Sequence, residues 1–195
     1  MPFQNKNVQN SNCDGVNQLK QDKIHKQSGR SMVEMLGVLA IVAVLSVGAI
    51  AGYNLVAQTQ KTQTLMQKIY FLSAQARTVC NGDCTGLTNN VLKNTGRIKA
   101  SDLDNPFGGT IEVGKSGKCL GCFYIQANSL PMEACVDMLT NDWGGPNVLL
   151  GSYMRNPSSP TTVCTGTSCP AKQNTAVTSC QSQTGDTKYV GMWFK

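Results

Sequence analysis

Histidine is almost absent from this chain of 195 residues. The one histidine, His25, lies in a polar N-terminal stretch. An imidazole that activates a serine or cysteine nucleophile is therefore missing from the rest of the chain. We predict that the protein is not an enzyme and has no catalytic residue, cofactor or metal site. The alternative is a redox dithiol at Cys119 and Cys122, for which a C-x-x-C spacing alone is weak evidence.

Charged residues are also few, at 14% of the chain. The formal net charge is +6, of which +2 comes from four lysines and two aspartates in residues 1–29. Neither this segment nor the remainder contains a dense basic run. We therefore predict no nucleic-acid partner.

Charge and proline are both missing from Met35 to Ala57. Such a run is long enough for one helix to cross the ~30 Å hydrocarbon core of a bilayer. We predict a transmembrane helix at about residues 35–57. Three lysines between residues 20 and 26 precede it. By the positive-inside rule they keep the N-terminus in the cytoplasm and send the C-terminal part across the membrane.

A glycine and a glutamate stand just before the apolar run, at Gly29 and Glu34 in G-R-S-M-V-E-M-L. This spacing after a polar leader resembles the type IV prepilin signal. The resemblance implies that a prepilin peptidase cuts after Gly29, that Arg30 becomes the first mature residue and is methylated, and that Glu34 becomes the fifth. Arg30 differs from the Phe, Met or Leu that is usual there. The length of the leader, 29 residues, is similar to that of the IVb-like branch.

Glu34 needs a partner, because an ionised side chain in apolar surroundings costs a few kcal/mol. After cleavage, the free amine of one subunit can pair with Glu34 of an already assembled neighbour. Two alternatives stay open. In one, Glu34 simply lies among lipid headgroups. In the other, the N-terminus is an ordinary secretory signal that is cut after Ala49-Ile50-Ala51.

The helix is predicted to continue beyond the membrane, from Ser31 to Val79. Apolar residues recur at spacings of three and four, which predicts one buried stripe on an otherwise solvated helix. Its members are Leu65, Ile69, Leu72, Ala76 and Val79. The predicted parts are a leader that is removed (1–29), a long helix (30–79) and a globular pilin head (80–195). The fold class is α+β, with the long helix packed on an antiparallel sheet and a disulfide-stapled C-terminal region.

Turn, strand and capping signals predict further elements in the head. They are a short helix at Leu87–Lys93, a hairpin of strands Thr110–Val113 and Cys122–Ala127, a helix at Leu130–Leu139 and a last strand at Lys188–Phe194. Between the last two lies Asp142–Gly185, rich in Gly, Pro, Ser, Thr and Asn. Because this composition rarely builds a core, we expect a long surface excursion held in place by cysteines.

Nine cysteines are present, and eight remain once Cys13 is removed with the leader. An even number in an exported domain predicts a disulfide framework. A metal site is the alternative for the short pairs, but no histidine accompanies them. Eight cysteines allow 105 pairings, so the connectivity stays open. Our hypothesis is Cys80 with Cys84, Cys119 with Cys122, Cys164 with Cys169, and Cys135 with Cys180.

The function that the prepilin resemblance implies is structural. The protein would be a subunit of a type IV pilus, first held in the inner membrane and then part of an extracellular filament. Its partners would be copies of itself, the prepilin peptidase, the assembly machinery of the inner membrane and a surface receptor. The alternatives are a minor pilin or adhesin at the tip, and a pseudopilin of a secretion system. Pseudopilins commonly carry an acidic calcium loop near the C-terminus, whereas the last 50 residues here contain one acid, Asp186.

Processing gives a direct prediction. The exported chain should begin at Arg30 and have the mass of residues 30–195, plus one methyl group if the methylase accepts arginine. Gly29→Asp should leave the leader attached. N-terminal sequencing and intact mass measure both outcomes, and an N-terminus at Gly52 would instead establish the secretory-signal alternative.

Overall fold

The computed structural model describes residues 32–145, 147–154, 160–183, 185 and 188–195. The chain divides into two compact units, the first ending at Ala49 and the second running from Ile50 to Lys195. The second half of the long helix thus belongs to the same compact unit as residues 80–195.

The first element is a helix of 49 residues, Met32–Cys80 (α1), within one residue of the predicted bounds at each end. It is long and apolar enough to cross a membrane, as judged by length and composition. Up to Ala49 its side chains are exposed. Glu34 is the one charged residue of this described first unit.

One stripe of the second half of α1 is buried in the head, as predicted. Leu65, Ile69, Leu72 and Ala76 are each 0% exposed, and Val79 at the end of the stripe is half-buried. Burying a leucine or isoleucine side chain contributes about 1.5–3 kcal/mol. The stripe is therefore a main source of the stability of the second unit.

Within the part of the chain that the structure describes, the sheet of the head has five antiparallel strands: Ile111–Lys115 (β1), Phe123–Leu130 (β2), Leu149–Met154 (β3), Thr161–Thr165 (β4) and Lys188–Phe194 (β5). Their order across the sheet is β1-β2-β5-β3-β4. The hairpin of β1 and β2 confirms the prediction. The last strand, β5, lies at the centre of the sheet, which explains its almost continuous run of apolar residues.

In the described residues, three short α-helices accompany the sheet: Asn89–Asn94 (α2), Met132–Thr140 (α3) and Gln173–Gln181 (α4). Helix α2 begins two residues later than predicted, because the Thr88 side chain accepts a hydrogen bond from the Val91 amide and caps the first turn. Helix α3 follows Pro131, which precedes its first turn.

The prediction of a surface excursion at Asp142–Gly185 was wrong. The described part of this stretch contains β3, β4 and α4. Strand β3 pairs with β5 on one side and β4 on the other, and its Leu149, Tyr153 and Met154 are at most 3% exposed. Helix α4 has few apolar residues, yet it packs on α3 through the bond between Cys135 and Cys180. Strand pairing and this disulfide therefore hold the stretch to the rest of the head, although it contains few apolar residues.

A small aromatic cluster lies on the face of the sheet opposite the main core. Along β5, Val190, Met192 and Phe194 belong to the main core, so the residues between them point the other way. There, Tyr153 stacks on Trp193 with ring centroids 4.5 Å apart. The Tyr153 ring also lies directly over Gly191. Burial raises the pKa of Tyr153, and the phenol donates to Gln126 Oε1 at 3.5 Å.

Gly191 is therefore expected to tolerate no side chain. A Cβ there would overlap the ring of the fully buried Tyr153, so Gly191→Ala should lower the free energy of unfolding by about 1–3 kcal/mol. Gly117→Ala is the control, because a Cβ at Gly117 meets no atom within 4 Å. Guanidinium unfolding of the full chain in detergent measures both variants. Equal unfolding midpoints for Gly191→Ala and Gly117→Ala would show that the Tyr153 ring does not exclude a side chain at Gly191.

Candidate assembly site

Glu34 lies in the first turn of α1 and is exposed. A carboxylate at this end of a helix interacts favourably with the helix dipole. With the residues that the structure describes, Glu34 forms neither a hydrogen bond nor an ion pair. Its charge is therefore available to a group outside the described chain. Gly29 and Arg30, the predicted processing residues, lie outside the described residues.

The helix around Glu34 is apolar on every side. The exposed large apolar residues of the first unit are Met32, Val33, Met35, Leu36, Val38, Leu39, Ile41, Val42, Val44, Leu45 and Val47. Because successive helical residues are turned by about 100°, this nearly unbroken series covers the whole circumference. A helix of this kind is stable when lipid or other apolar helices surround it.

Three glycines interrupt the apolar part of α1. A Cβ at Gly37, Gly48 or Gly52 would meet no atom of the chain within 4 Å. Each glycine costs up to about 1 kcal/mol of helix stability relative to alanine. The described chain offers no internal packing reason for them. Small residues allow helices to approach closely in membranes, so the glycines suit a surface on which neighbouring helices pack.

The eight cysteines form four disulfides in the structure: Cys80–Cys84, Cys119–Cys122, Cys135–Cys180 and Cys164–Cys169. These are the pairs of the hypothesis from the sequence. Their Cα atoms are 4.4, 5.2, 6.2 and 5.3 Å apart in that order, within the usual range. Three bonds close loops of a few residues, and the bond between α3 and α4 spans 45 residues.

The first disulfide closes the turn that ends α1. Asn81 and Gly82 adopt positive φ values of 41° and 92°, which reverses the chain after the last helical residue, Cys80. Asp83 then accepts hydrogen bonds from the Thr85 amide and hydroxyl at 2.8 and 2.7 Å. The hydroxyl bond, followed by the amide bond, lowers the pKa of the Asp83 carboxyl. The turn is thus held by a covalent bond and a charged acceptor.

Polar side chains of α1 also attach the helix to the head, a role that the sequence analysis missed. Lys68 Nζ donates to the Ser101 and Asp104 carbonyls at 2.7 and 2.8 Å. Arg77 Nε donates to the Lys195 carbonyl at 2.8 Å. Lys68 is not a member of the predicted apolar stripe, which leaves it on the part of the helix predicted to be solvated. No local pattern signals its role, because the acceptors lie more than 30 residues away in the chain.

The chain is similar in sequence to known pilus subunits. No family model matches the chain. It is 26% identical over 128 residues to the "Major structural subunit of bundle-forming pilus" of Escherichia coli O127:H6 (strain E2348/69 / EPEC), and equally to that of Escherichia coli O111:H-. The match covers 60% of this chain and 66%, or just under two thirds, of each relative.

A solved structure has the same fold. It is the crystal structure of TcpA, a type IV pilin from Vibrio cholerae El Tor biotype. The TM-score is 0.51 at 13% sequence identity, and the match covers 69% of this chain and 98% of TcpA. The sequence similarity to a pilus subunit and the fold of a pilin together support the interpretation of the chain as a type IV pilin. The long helix, the antiparallel sheet and the disulfides of the C-terminal region form the α+β fold that the sequence predicts.

Two exposed acids lie close together on α3. Glu133 and Asp137 lie one turn apart and are both exposed. Partial burial, and then the charge of Glu133, raises the pKa of the Asp137 carboxyl. Within the described residues, no group of three His, Cys, Asp or Glu side chains is arranged to hold a metal ion.

The long disulfide should matter most for stability. On the chain-entropy model, closing a loop of this length contributes about 4 kcal/mol, against about 2 kcal/mol for the short loop at the end of α1. The double variant Cys135→Ala/Cys180→Ala should therefore unfold at clearly lower denaturant than Cys80→Ala/Cys84→Ala. Guanidinium unfolding of both, with the full chain in detergent, makes the comparison. Equal losses would show that loop length does not set the stabilisation.

Proposed function

We propose that this pilin is the structural subunit of a type IV pilus filament. In this proposal the chain is exported as a prepilin, cleaved after Gly29 and polymerised through α1. The observation that carries it is the first part of α1, up to Ala49, which is exposed, apolar on every side and carries Glu34 in the first turn as its single charge. A lone carboxylate on such a helix calls for a partner from another molecule.

The proposed partner is the α-amine that cleavage creates at Arg30 of a neighbouring subunit. That amine stands four residues before Glu34 of its own chain, so pairing with the carboxylate of a neighbour sets an axial offset between adjacent helices. In low-dielectric surroundings the attraction between the two charges is much stronger than in water. The apolar surface supplies most of the burial, and the ion pair sets the register.

The proposed location changes with assembly. Before assembly, α1 anchors the subunit in the inner membrane, where the prepilin peptidase and the assembly machinery act on it. After assembly, the helices lie together in the filament and the head faces the extracellular medium. Four disulfides suit that destination, because such bonds persist in oxidising compartments and are rare in the cytoplasm. The long leader supports placement in the IVb-like branch.

Abundance distinguishes the main subunit from a minor pilin or adhesin at the tip. The matched relatives are named as major subunits, which supports the first. If purified filaments consist almost entirely of this chain, it is the main subunit. A trace amount would favour the tip role, in which the head contacts a surface receptor.

Glu34→Gln tests the pairing. The variant keeps the size and hydrogen-bonding capacity of the side chain but removes the negative charge. It should be made, inserted and cleaved normally, as shown by N-terminal sequencing, yet give at least about tenfold fewer filaments, because an ion pair in apolar surroundings is worth more than the ~1.4 kcal/mol that a factor of ten represents. Electron microscopy and the yield of sheared filaments measure the outcome.

Glu133→Gln is the matched control. Glu133 also lies in the first turn of a helix and is exposed, so the substitution removes the same charge from the head. Filament yield should stay close to that of the unaltered chain. Filaments of normal number and length from Glu34→Gln would refute the charge-pairing mechanism and leave the assignment of α1 as a membrane helix untouched.

A further inference from the structure

The loop between β1 and β2 carries a disulfide that differs from the other three in exposure. Cys119 is exposed and its neighbour Leu120 is 75% exposed, whereas Cys122 is 0% exposed. We propose that the sulfur of Cys119 is the site at which low-molecular-weight thiols attack the pilin head by thiol–disulfide exchange. The proposal is independent of filament assembly.

The cysteines of the other three disulfides are less exposed than Cys119. Both sulfurs of the bond between α3 and α4 belong to residues that are 0% exposed. At the end of α1, the two cysteines are 7% and 2% exposed. In the fourth bond, Cys164 is 6% exposed and Cys169 is half-buried. A thiolate must reach a sulfur along the line of the S–S bond, so access limits the rate when the attacking thiol is the same.

Because Cys119 is exposed and Cys122 is buried, the incoming thiolate attacks the sulfur of Cys119. An external thiolate reaches Cys119 Sγ and forms a mixed disulfide with it. The bond between the two cysteines breaks, and Cys122 leaves with the electron pair and takes up a proton from solvent. The products are the mixed disulfide on Cys119 and a free thiol on Cys122. That thiol lies three residues away and can restore the original bond by expelling the small thiol.

The hairpin does not depend on this bond. Five residue pairs join β1 to β2, from Ile111 opposite Ala127 to Lys115 opposite Phe123. Beyond the ladder, the Ser116 amide donates to the Cys122 carbonyl at 2.9 Å, and the Cys122 amide donates to the Cys119 carbonyl at 3.2 Å. These hydrogen bonds remain available after exchange. Modification should therefore open the loop and leave the sheet folded.

The loop also covers a tryptophan. Lys118 Nζ lies 4.4 Å from the centroid of the Trp193 ring, in cation–π contact, and Trp193 is 4% exposed. Because Lys118 adjoins Cys119, opening the disulfide frees this lysine to leave the ring. The fluorescence of Trp193 then reports the event. Trp143 is the other tryptophan, and Trp143→Phe isolates the signal.

The test exposes the exported protein in detergent to reduced glutathione. Samples are blocked with N-ethylmaleimide over time, digested and analysed by mass spectrometry. The first product should carry glutathione on Cys119 and N-ethylmaleimide on Cys122. It should form at least about tenfold faster than any product at Cys164 or Cys169. A factor of ten corresponds to about 1.4 kcal/mol of additional free energy for the local opening that exposes the less accessible bond.

Two further results decide the proposal. The early phase of modification, and the change in Trp193 fluorescence that accompanies it, should vanish in Cys119→Ser/Cys122→Ser, while slower reaction at the other disulfides continues. The far-UV circular dichroism of the singly modified chain should match that of the untreated chain. First reaction at another cysteine, an adduct on Cys122, equal rates at all four bonds or no reaction short of unfolding would each overturn it.

Discussion

A helix that is apolar on every side has to be buried by something outside its own chain. This requirement underlies the proposed transfer of α1 from the membrane into a filament. In the first unit the apolar surface surrounds α1 and carries one charge, Glu34. Lipid satisfies the apolar surface but leaves a carboxylate without a partner, whereas in the proposed filament neighbouring subunits would satisfy both. The same sequence can therefore rest in a membrane and still favour transfer into a filament.

The second half of α1 has a different environment, because one side of it is buried in the head and the other side is exposed to solvent. Leu65, Ile69 and Leu72 fill the core of the head, and Lys68 and Arg77 bind backbone carbonyls of the head from the flanks of that stripe. Apolar burial supplies most of the stabilisation, and the hydrogen bonds fix how the helix is turned. One helix thus combines a surface for other molecules with a surface for its own domain.

Local signals predicted much of this architecture. The stripe, the β1–β2 hairpin and the last strand follow from periodicity and turn residues that lie close together in sequence. The stretch Asp142–Gly185 did not follow, because the burial of β3 depends on β5, about 40 residues later, and α4 depends on a disulfide to α3. The Lys68 contacts were missed for the same reason. Sequence patterns reveal which side chains favour burial, and they reveal poorly which distant strand or carbonyl will lie beside them.

The disulfides show how a head with so much polar sequence remains a single folded unit. The Cys135–Cys180 bond ties α4, which has few apolar residues, to a helix whose inner face is fully buried. The three short bonds close turns at the end of α1, between β1 and β2, and after β4. Only in the second of these turns is one cysteine exposed while the other is completely buried. Because that turn joins strands with their own hydrogen-bond ladder, the proposed opening of its disulfide should leave the sheet folded.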